Sequence, residues 1–406
     1  MKILNRLTIS IWSLTAALSA VAQVNSHSDG SDGALNPSAT TTTIDLGLAT
    51  TAAWTVPGGG NGVYDGAKWA VVFKYSSVTI DPGETVKFTN HPKNPPVVWL
   101  VQGDVTINGT LSLDALLTTN DGALGVPGPG GFRGGSNEGS GVSRGGGYGP
   151  GGSRAVPAFN HGYGGSYGTQ PVTGNSNVGP IYGNAAIIPL LGGSGGASYS
   201  SFAGGAGGGA ILIVASGRIT VNGVIRGVGS QHAGLAGGSG GAIRLVANEV
   251  VGTGQLNASG PTTTAGMGRI RVERLSTATS FTGTALPAAS STVLGGPEPT
   301  IWPTTTHPTV NVFSVAGVAV PADPASSFGT PDVTVGPAAT YVVRVEAANV
   351  PTDGSWVVQV RVVPRSGQDT FANATLISGN QVASVWEATV TLPQGGSAVI
   401  ARAYRQ

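Results

Sequence analysis

The chain has 406 residues, a formal charge of +1, 67 glycines, 26 prolines and no cysteine, and only 10% of its residues are charged. The lack of cysteine excludes disulfides, thiolate metal ligands and a thiol nucleophile, and the near-neutral charge argues against a general nucleic-acid binder. Many β-branched residues, with glycines that lack collagen's every-third-residue period, point to an all-β chain long enough for two domains.

Residues 1–22 read as a signal peptide. Lys2 and Arg6 precede an apolar run from Leu7 to Leu18, and Ser19-Ala-Val-Ala22 supplies small residues at a cleavage site. The apolar run is shorter than the roughly 20 residues a membrane span needs. Cleavage would remove Lys2 and Arg6 and take the formal charge from +1 to −1. The expected destination is secreted, extracellular or cell-surface, with no membrane span in the mature chain. Residues 23–43 are small, polar and threonine-rich and read as a flexible leader.

Strand-like pieces follow at Trp69–Phe73, Ser77–Ile80 and Thr85–Phe88, with Asp81-Pro-Gly-Glu84 placed for a tight turn. Val97–Leu111 and Ile211–Ile225 then repeat one pattern without a gap: Gly103 falls on Gly217, Asn108 on Asn222 and Gly109 on Gly223. A degenerate copy spans Ile243–Leu256 and a fragment spans Ile270–Arg274. Each full copy reads as three short strands, for example Ile211–Ala215, Arg218–Asn222 and Val224–Arg226. Within them Ile219 and Val221 share one face, as do Ile243, Leu245 and Ala247. Such repeats stack, because no unit buries its apolar face alone. Asn108-Gly109 and Asn222-Gly223 are expected at a corner with left-handed backbone angles. Val97–Val101 and Ile211–Ala215 are apolar on both faces, so another part of the chain, the glycine-rich block, is expected to cover them.

A glycine-rich block at 122–208 interrupts the repeat, which then resumes in register. A loop of that length is uncommon inside a compact domain, and we expect an insertion packed on one side of the stack. Residues 276–309 read as a linker. From about residue 310, alternating strands at Tyr341–Glu346, Trp356–Val362, Trp386–Leu392 and Ala398–Tyr404, separated by turns, suggest an antiparallel Ig-like β-sandwich over 310–406.

The repeat, with its Gly-Ala-Ile start and Asn-Gly corner, resembles right-handed parallel β-helix proteins of the pectin-lyase-like superfamily, and most closely glycine-rich secreted bacterial proteins of that shape. The resemblance covers about 70–275 and implies a right-handed parallel β-helix over 44–275. That group includes polysaccharide lyases and hydrolases, adhesins and phage tailspikes, and fold alone does not choose among them.

The chemistry is sparse. The carboxylates Asp104, Asp114, Asp121, Glu138, Glu249 and Glu273 form no i, i+2 pair. Gly-x-Ser-x-Gly occurs around Ser143, Ser194 and Ser239, without the helix a nucleophile elbow requires. No catalytic, metal or cofactor set is expected. Two groups are candidates for binding. Arg244, Arg269 and Arg271 would form a basic stripe on successive rungs. Arg133, Arg144, Arg154 and His161, with Tyr148, Tyr163 and Tyr167, lie in the glycine-rich block, in the company that binding loops keep. The expected function is a structural or adhesive protein whose partner is an extracellular polysaccharide or another surface protein. The alternatives are a polysaccharide-active enzyme using Asp104, Asp114 or Glu138 beside Arg133 and Arg144, and a carbohydrate-binding protein using the insertion.

Overall fold

The computed structural model describes residues 23–116, 125–136, 144–155, 162–171, 175–198, 202–231, 236–325, 330–337 and 339–406. The expected signal peptide lies outside the described residues, as do Asp121, Glu138, Ser143, His161 and Tyr199. No helix among the described residues is long and apolar enough to cross a membrane.

The N-terminal three-quarters is built from three largely parallel sheets. The first holds, in spatial order, Ala34–Leu35, Ser77–Ile80, Val105–Ile107, Arg218–Val221 and Glu249–Val251. The second holds Thr41–Asp45, Thr85–Thr89, Thr110–Ser112, Val224–Arg226, Gln255–Asn257 and Thr284–Leu286. The third runs Thr50–Thr51, Val63–Asp65, Ala70–Tyr75, Val97–Val101, Ala210–Ala215, Ala242–Ala247, Arg269–Arg274 and Ser290–Val293. Its one antiparallel pairing joins Val63–Asp65 to Ala70–Tyr75. From Ser77 the chain visits the sheets in the order one, two, three, and repeats that order to Arg274.

The aligned repeats lie side by side. Val97 pairs with Ile211, Ile211 with Ile243 and Ile243 with Ile270. Alternate residues of all three sheets fill one apolar core, including Ile107, Leu111, Ile213, Ile219, Val221 and Leu245. Each buried aliphatic side chain contributes about 1.5–3 kcal/mol.

At the corner after the first sheet the backbone is not left-handed at Asn108, Gly109, Asn222 or Gly223. Glycine is needed there for a close approach: a Cβ on Gly223 would sit 1.9 Å from the Gly109 carbonyl oxygen, and one on Gly254 would sit 2.1 Å from that of Gly223. The asparagines stack instead, Asn222 Nδ2 donating to Asn108 Oδ1 at 3.0 Å.

The outward side of the third sheet is buried too. Val98, Leu100, Leu212, Val214 and Val246 pack with Val24 and Ile301, and against Trp54, Leu190 and Trp302. The cover is therefore the N-terminal stretch and the segment near 301 over one part of the face, and the glycine-rich block over another, with Leu190 here and Tyr167, Tyr182 and Ile187 above Ala210 and Ala242. Residues 23–43 are consequently not loose. Val24 donates its backbone N–H to Asn248 Oδ1, Ala34–Leu35 pairs with Ser77–Val78, and Thr41–Asp45 pairs with Thr85–Thr89. The expected linker likewise carries Thr284–Leu286 and Ser290–Val293, which add strands to the second and third sheets.

The glycine-rich block is a packed layer. It forms where the chain leaves the second sheet for the third, and the later rungs add residues 227–231, 236–241 and 258–268 to it. Its segments hydrogen-bond to more neighbours than a strand in a sheet can. Gly192–Ser198 donates to Gly130, Tyr148, Gly145, Tyr163, Gly205 and Gly208 carbonyls and to Ser239 Oγ, reaching five separate stretches of chain. In 204–208 the bonds recur every three residues: Gly204 and Gly207 donate to Gly135 and Phe132, while Gly205 and Gly208 donate to Ala236 and Ser239. A period of three is that of an extended helix with three residues per turn, whose N–H groups radiate in three directions. Serines complete the network. Ser153, Ser194, Ser198 and Ser230 Oγ accept from the N–H groups of Ala197, Gly151, Gly145 and Ala206.

The C-terminal part is antiparallel. Five strands are ordered Val318–Ala319, Thr309–Val315, Ala339–Ala348, Ala383–Leu392 and Thr375–Gly379; three are ordered Thr370–Asn373, Trp356–Pro364 and Ser397–Arg405. The two sheets share a core of Val343, Val345, Val358, Val360, Val362, Trp386 and Val390.

The glycine layer sets a sharp expectation. A Cβ on Gly195 would lie 1.7 Å from the Arg133 carbonyl oxygen, whereas one on Gly295 meets nothing within 4 Å. Gly195→Ala should destabilise the protein by more than about 2 kcal/mol, since a packed backbone cannot give way, and Gly295→Ala should be neutral; thermal unfolding of both variants checks this.

Candidate functional site

Three arginines converge on one phenylalanine between the glycine layer and the three-stranded C-terminal sheet. On Trp356–Pro364, the residues alternating with the buried Val358, Val360 and Val362 point to the other face, and these include Gln359 and Arg361. Register places Phe371 opposite Arg361 on one side and Arg402 opposite Gln359 on the other. Arg154 reaches in from the glycine layer. The guanidinium carbons of Arg154, Arg361 and Arg402 lie 4.1, 5.8 and 5.9 Å from the Phe371 ring centroid, within cation–π range. Together with Pro150, Val178 and Pro180 they line a cleft of about 240 Å³.

The three charges are not equivalent. Arg361 is buried and paired with Asp369, whose side chain is fully enclosed. Its Nε donates to Asp369 Oδ2 at 2.8 Å, and its remaining N–H groups reach the carbonyls of Gly147, Gly149 and Ser153 at 3.1–3.4 Å. Arg361 is thus a clamp between the two parts of the protein. Arg402 donates Nε and Nη2 to Gln359 Oε1 at 3.0 and 2.6 Å. Burial, with the nearby Arg361 and Arg154 charges, holds its guanidinium below the usual arginine range. Neither Arg154 nor Arg402 has a carboxylate within 4 Å among the described residues. The cleft therefore carries two guanidiniums without a direct carboxylate partner beside an aromatic ring, Asp369 acting on Arg154 only at longer range.

The other arginine group is in register but is not an open stripe. Arg244 pairs with Arg271 across adjacent strands. Arg244 is only 2% exposed; its Nε donates to Glu273 Oε1 at 2.7 Å and its Nη2 to the Thr300 carbonyl at 2.8 Å. Arg271 Nε shares that carboxylate oxygen at 2.8 Å. The segment that covers the third sheet has closed over this face, which the alternation of Arg244 with Ile243 and Leu245 did not foretell. Arg269 donates to the Tyr182 carbonyl and lies 5.5 Å from the Tyr167 ring.

The tyrosines serve the glycine layer. Tyr167 is buried and stacks on Tyr182 with centroids 4.4 Å apart. Tyr148 is also buried, and burial pushes its hydroxyl well above the usual range. Tyr163 accepts a hydrogen bond from Asn175 Nδ2 at 2.8 Å. Arg133 and Arg144 are half-buried in the layer and do not line the cleft. Of the expected binding residues that are described, only Arg154 stands in the arginine–phenylalanine cleft, and His161 lies outside the described residues. Arg361, Phe371 and Arg402 were not anticipated; the lone signal was polar residues in the outward phase of two valine-rich strands.

The described carboxylates are occupied structurally. Asp104 accepts from the Arg218 backbone N–H at 2.8 Å, Asp114 accepts from the Val228 N–H at 2.7 Å and pairs with Arg226, and Glu249 pairs with Arg218. Ser194 and Ser239 are fully buried within the glycine layer. Among the described residues no group of three or more His, Asp or Glu could hold a metal ion. Comparison with known protein families, curated proteins and solved structures finds no match to this chain.

Two outcomes follow from these ion pairs. Glu273→Ala should cost about 3–5 kcal/mol, because it leaves the buried Arg244 charge without its partner; urea denaturation measures it. Burial outweighs the attraction of Arg361 and raises the Asp369 carboxyl above its ordinary value of 3.8. A group whose pKa is higher folded than unfolded contributes stability that is full below the unfolded value and is lost as pH rises through the folded one. The stability advantage of the wild type over Asp369→Asn should therefore be full below the ordinary carboxyl value of 3.8 and shrink as pH rises above it; an advantage that grows would mean the arginine's attraction dominates.

Proposed function

We propose that this chain is a secreted, non-catalytic structural or adhesive protein of the cell surface or extracellular matrix. In this reading the three-sheet body is a right-handed parallel β-helix and the C-terminal sheets form an Ig-like sandwich. The observation that carries it is the occupation of the two described candidate carboxylates: Asp104 and Asp114 each hold a backbone N–H of the next rung, and Asp114 is also paired with Arg226. Export rests on the sequence of residues 1–22, with its basic start, apolar run and small residues before Gln23.

A second reading, carbohydrate binding, is favoured by the cleft at Arg154, Phe371 and Arg402. An aromatic face with arginine donors suits a sugar with an acidic substituent. The test uses the chain without residues 1–22, incubated with polyuronates and neutral polysaccharides. The expected result is retention on insoluble surface polymers with no release of reducing or unsaturated ends. Depolymerisation that vanishes in Asp104→Asn or Asp114→Asn would replace this reading with an enzymatic one.

A further inference from the structure

Two guanidiniums of different origin face one ring in this cleft. Arg154 belongs to the glycine layer and Arg402 to the edge strand Ser397–Arg405, and the charge of the third, Arg361, is spent on Asp369. Arg402 keeps Nη1 uncommitted, since Nε and Nη2 bind Gln359. The Arg154 side chain stacks on Phe371, its guanidinium carbon 4.1 Å from the ring centroid. Pro150, Val178, Pro180 and Ile400 line the remainder with C–H surface. The volume of about 240 Å³ lies below the roughly 300–1,000 Å³ of pockets that enclose a whole ligand, so it suits one unit of a longer chain.

A carboxylate has two oxygens in one plane and is satisfied by a single arginine fork. Arginines approaching from two separate elements are better met by an acceptor whose oxygens are not coplanar. A sulfate ester offers three terminal oxygens in a tetrahedral arrangement, and the sugar ring that carries it can lie on the proline and valine surface.

We propose that the Arg154–Phe371–Arg402 cleft binds a sulfate ester borne on a polysaccharide. This rests on the carbohydrate-binding reading above and names its ligand class. The two arginines are half-buried and have no carboxylate in direct contact among the described residues, which gives the cleft a positive field that favours an anion.

The test measures binding of the full chain without residues 1–22 to dextran sulfate, dextran, polygalacturonate and poly-glutamate at physiological salt. Arg154→Gln, Arg402→Gln and Arg402→Lys are compared with Arg344→Gln, which removes an equal charge from the opposite sheet, where Arg344 pairs with Glu387. Thermal unfolding confirms that each variant is folded. Dextran sulfate is expected to bind more tightly than the other three polymers. Arg154→Gln and Arg402→Gln should each weaken it by about tenfold, as for loss of a hydrogen bond to a charged group. Arg402→Lys should weaken it too, since lysine cannot hold Gln359 through two donors and still present a third at a fixed angle, and Arg344→Gln should leave it unchanged. The proposal is overturned if poly-glutamate or polygalacturonate binds as tightly, if Arg344→Gln weakens binding as much, or if dextran sulfate does not bind. Retention on a neutral glycan with no affinity for dextran sulfate sinks the sulfate assignment alone; failure to bind any glycan sinks the carbohydrate reading with it.

Discussion

The structure depends on backbone hydrogen bonds made in more than one plane. In a β-sheet a strand donates and accepts along one direction and has two neighbours. In the glycine layer, Gly192–Ser198 bonds to five. That is possible only where the chain can approach its neighbours from all sides, and the contacts around Gly134, Gly195 and Gly207, where a Cβ would lie 1.7–1.8 Å from a carbonyl oxygen, show how little space there is. Glycine here has a steric role and, at these positions, none in supplying unusual backbone angles. The layer holds itself together by saturating polar groups in a region with almost no side chains to bury.

That layer governs the rest. It is anchored to the sheets because it starts and ends at one corner of successive rungs, between the second sheet and the third. Its tyrosines lock it laterally, Tyr167 stacking on Tyr182 above Ala210 and Ala242. Its rim presents carbonyls at Gly147, Gly149 and Ser153, and Arg361 donates to all three while pairing with Asp369. The C-terminal sheets are thereby seated on the layer, and the arginine-lined cleft exists only because they are. Structure and candidate site share one cause: backbone polar groups at a packed surface recruit guanidiniums.

The strands were legible from pattern because alternation writes itself into β-branched residues. Ser77–Ile80 and Val224–Arg226 match their expected bounds, and the Gly103–Gly217 alignment reappears as strand register. Two kinds of feature were hidden. Arg244 lies on the outward phase of its strand, yet residues near 300 close over it, and no local pattern encodes which distant segment covers a face. The cleft joins Arg154 to residues more than 200 positions away in the chain, so its residues share no motif.

The amino-acid order by itself determined the all-β character, the stacking register of the aliphatic rungs and the antiparallel C-terminal strands, since each follows from which face of a local element is apolar. Tertiary structure alone decided that the glycine-rich stretch is a bonded layer and that one arginine is buried while another faces a cleft. Glycine has no side chain with which to announce its neighbours, and the surroundings of a charge are set by whichever part of the chain happens to fold against it.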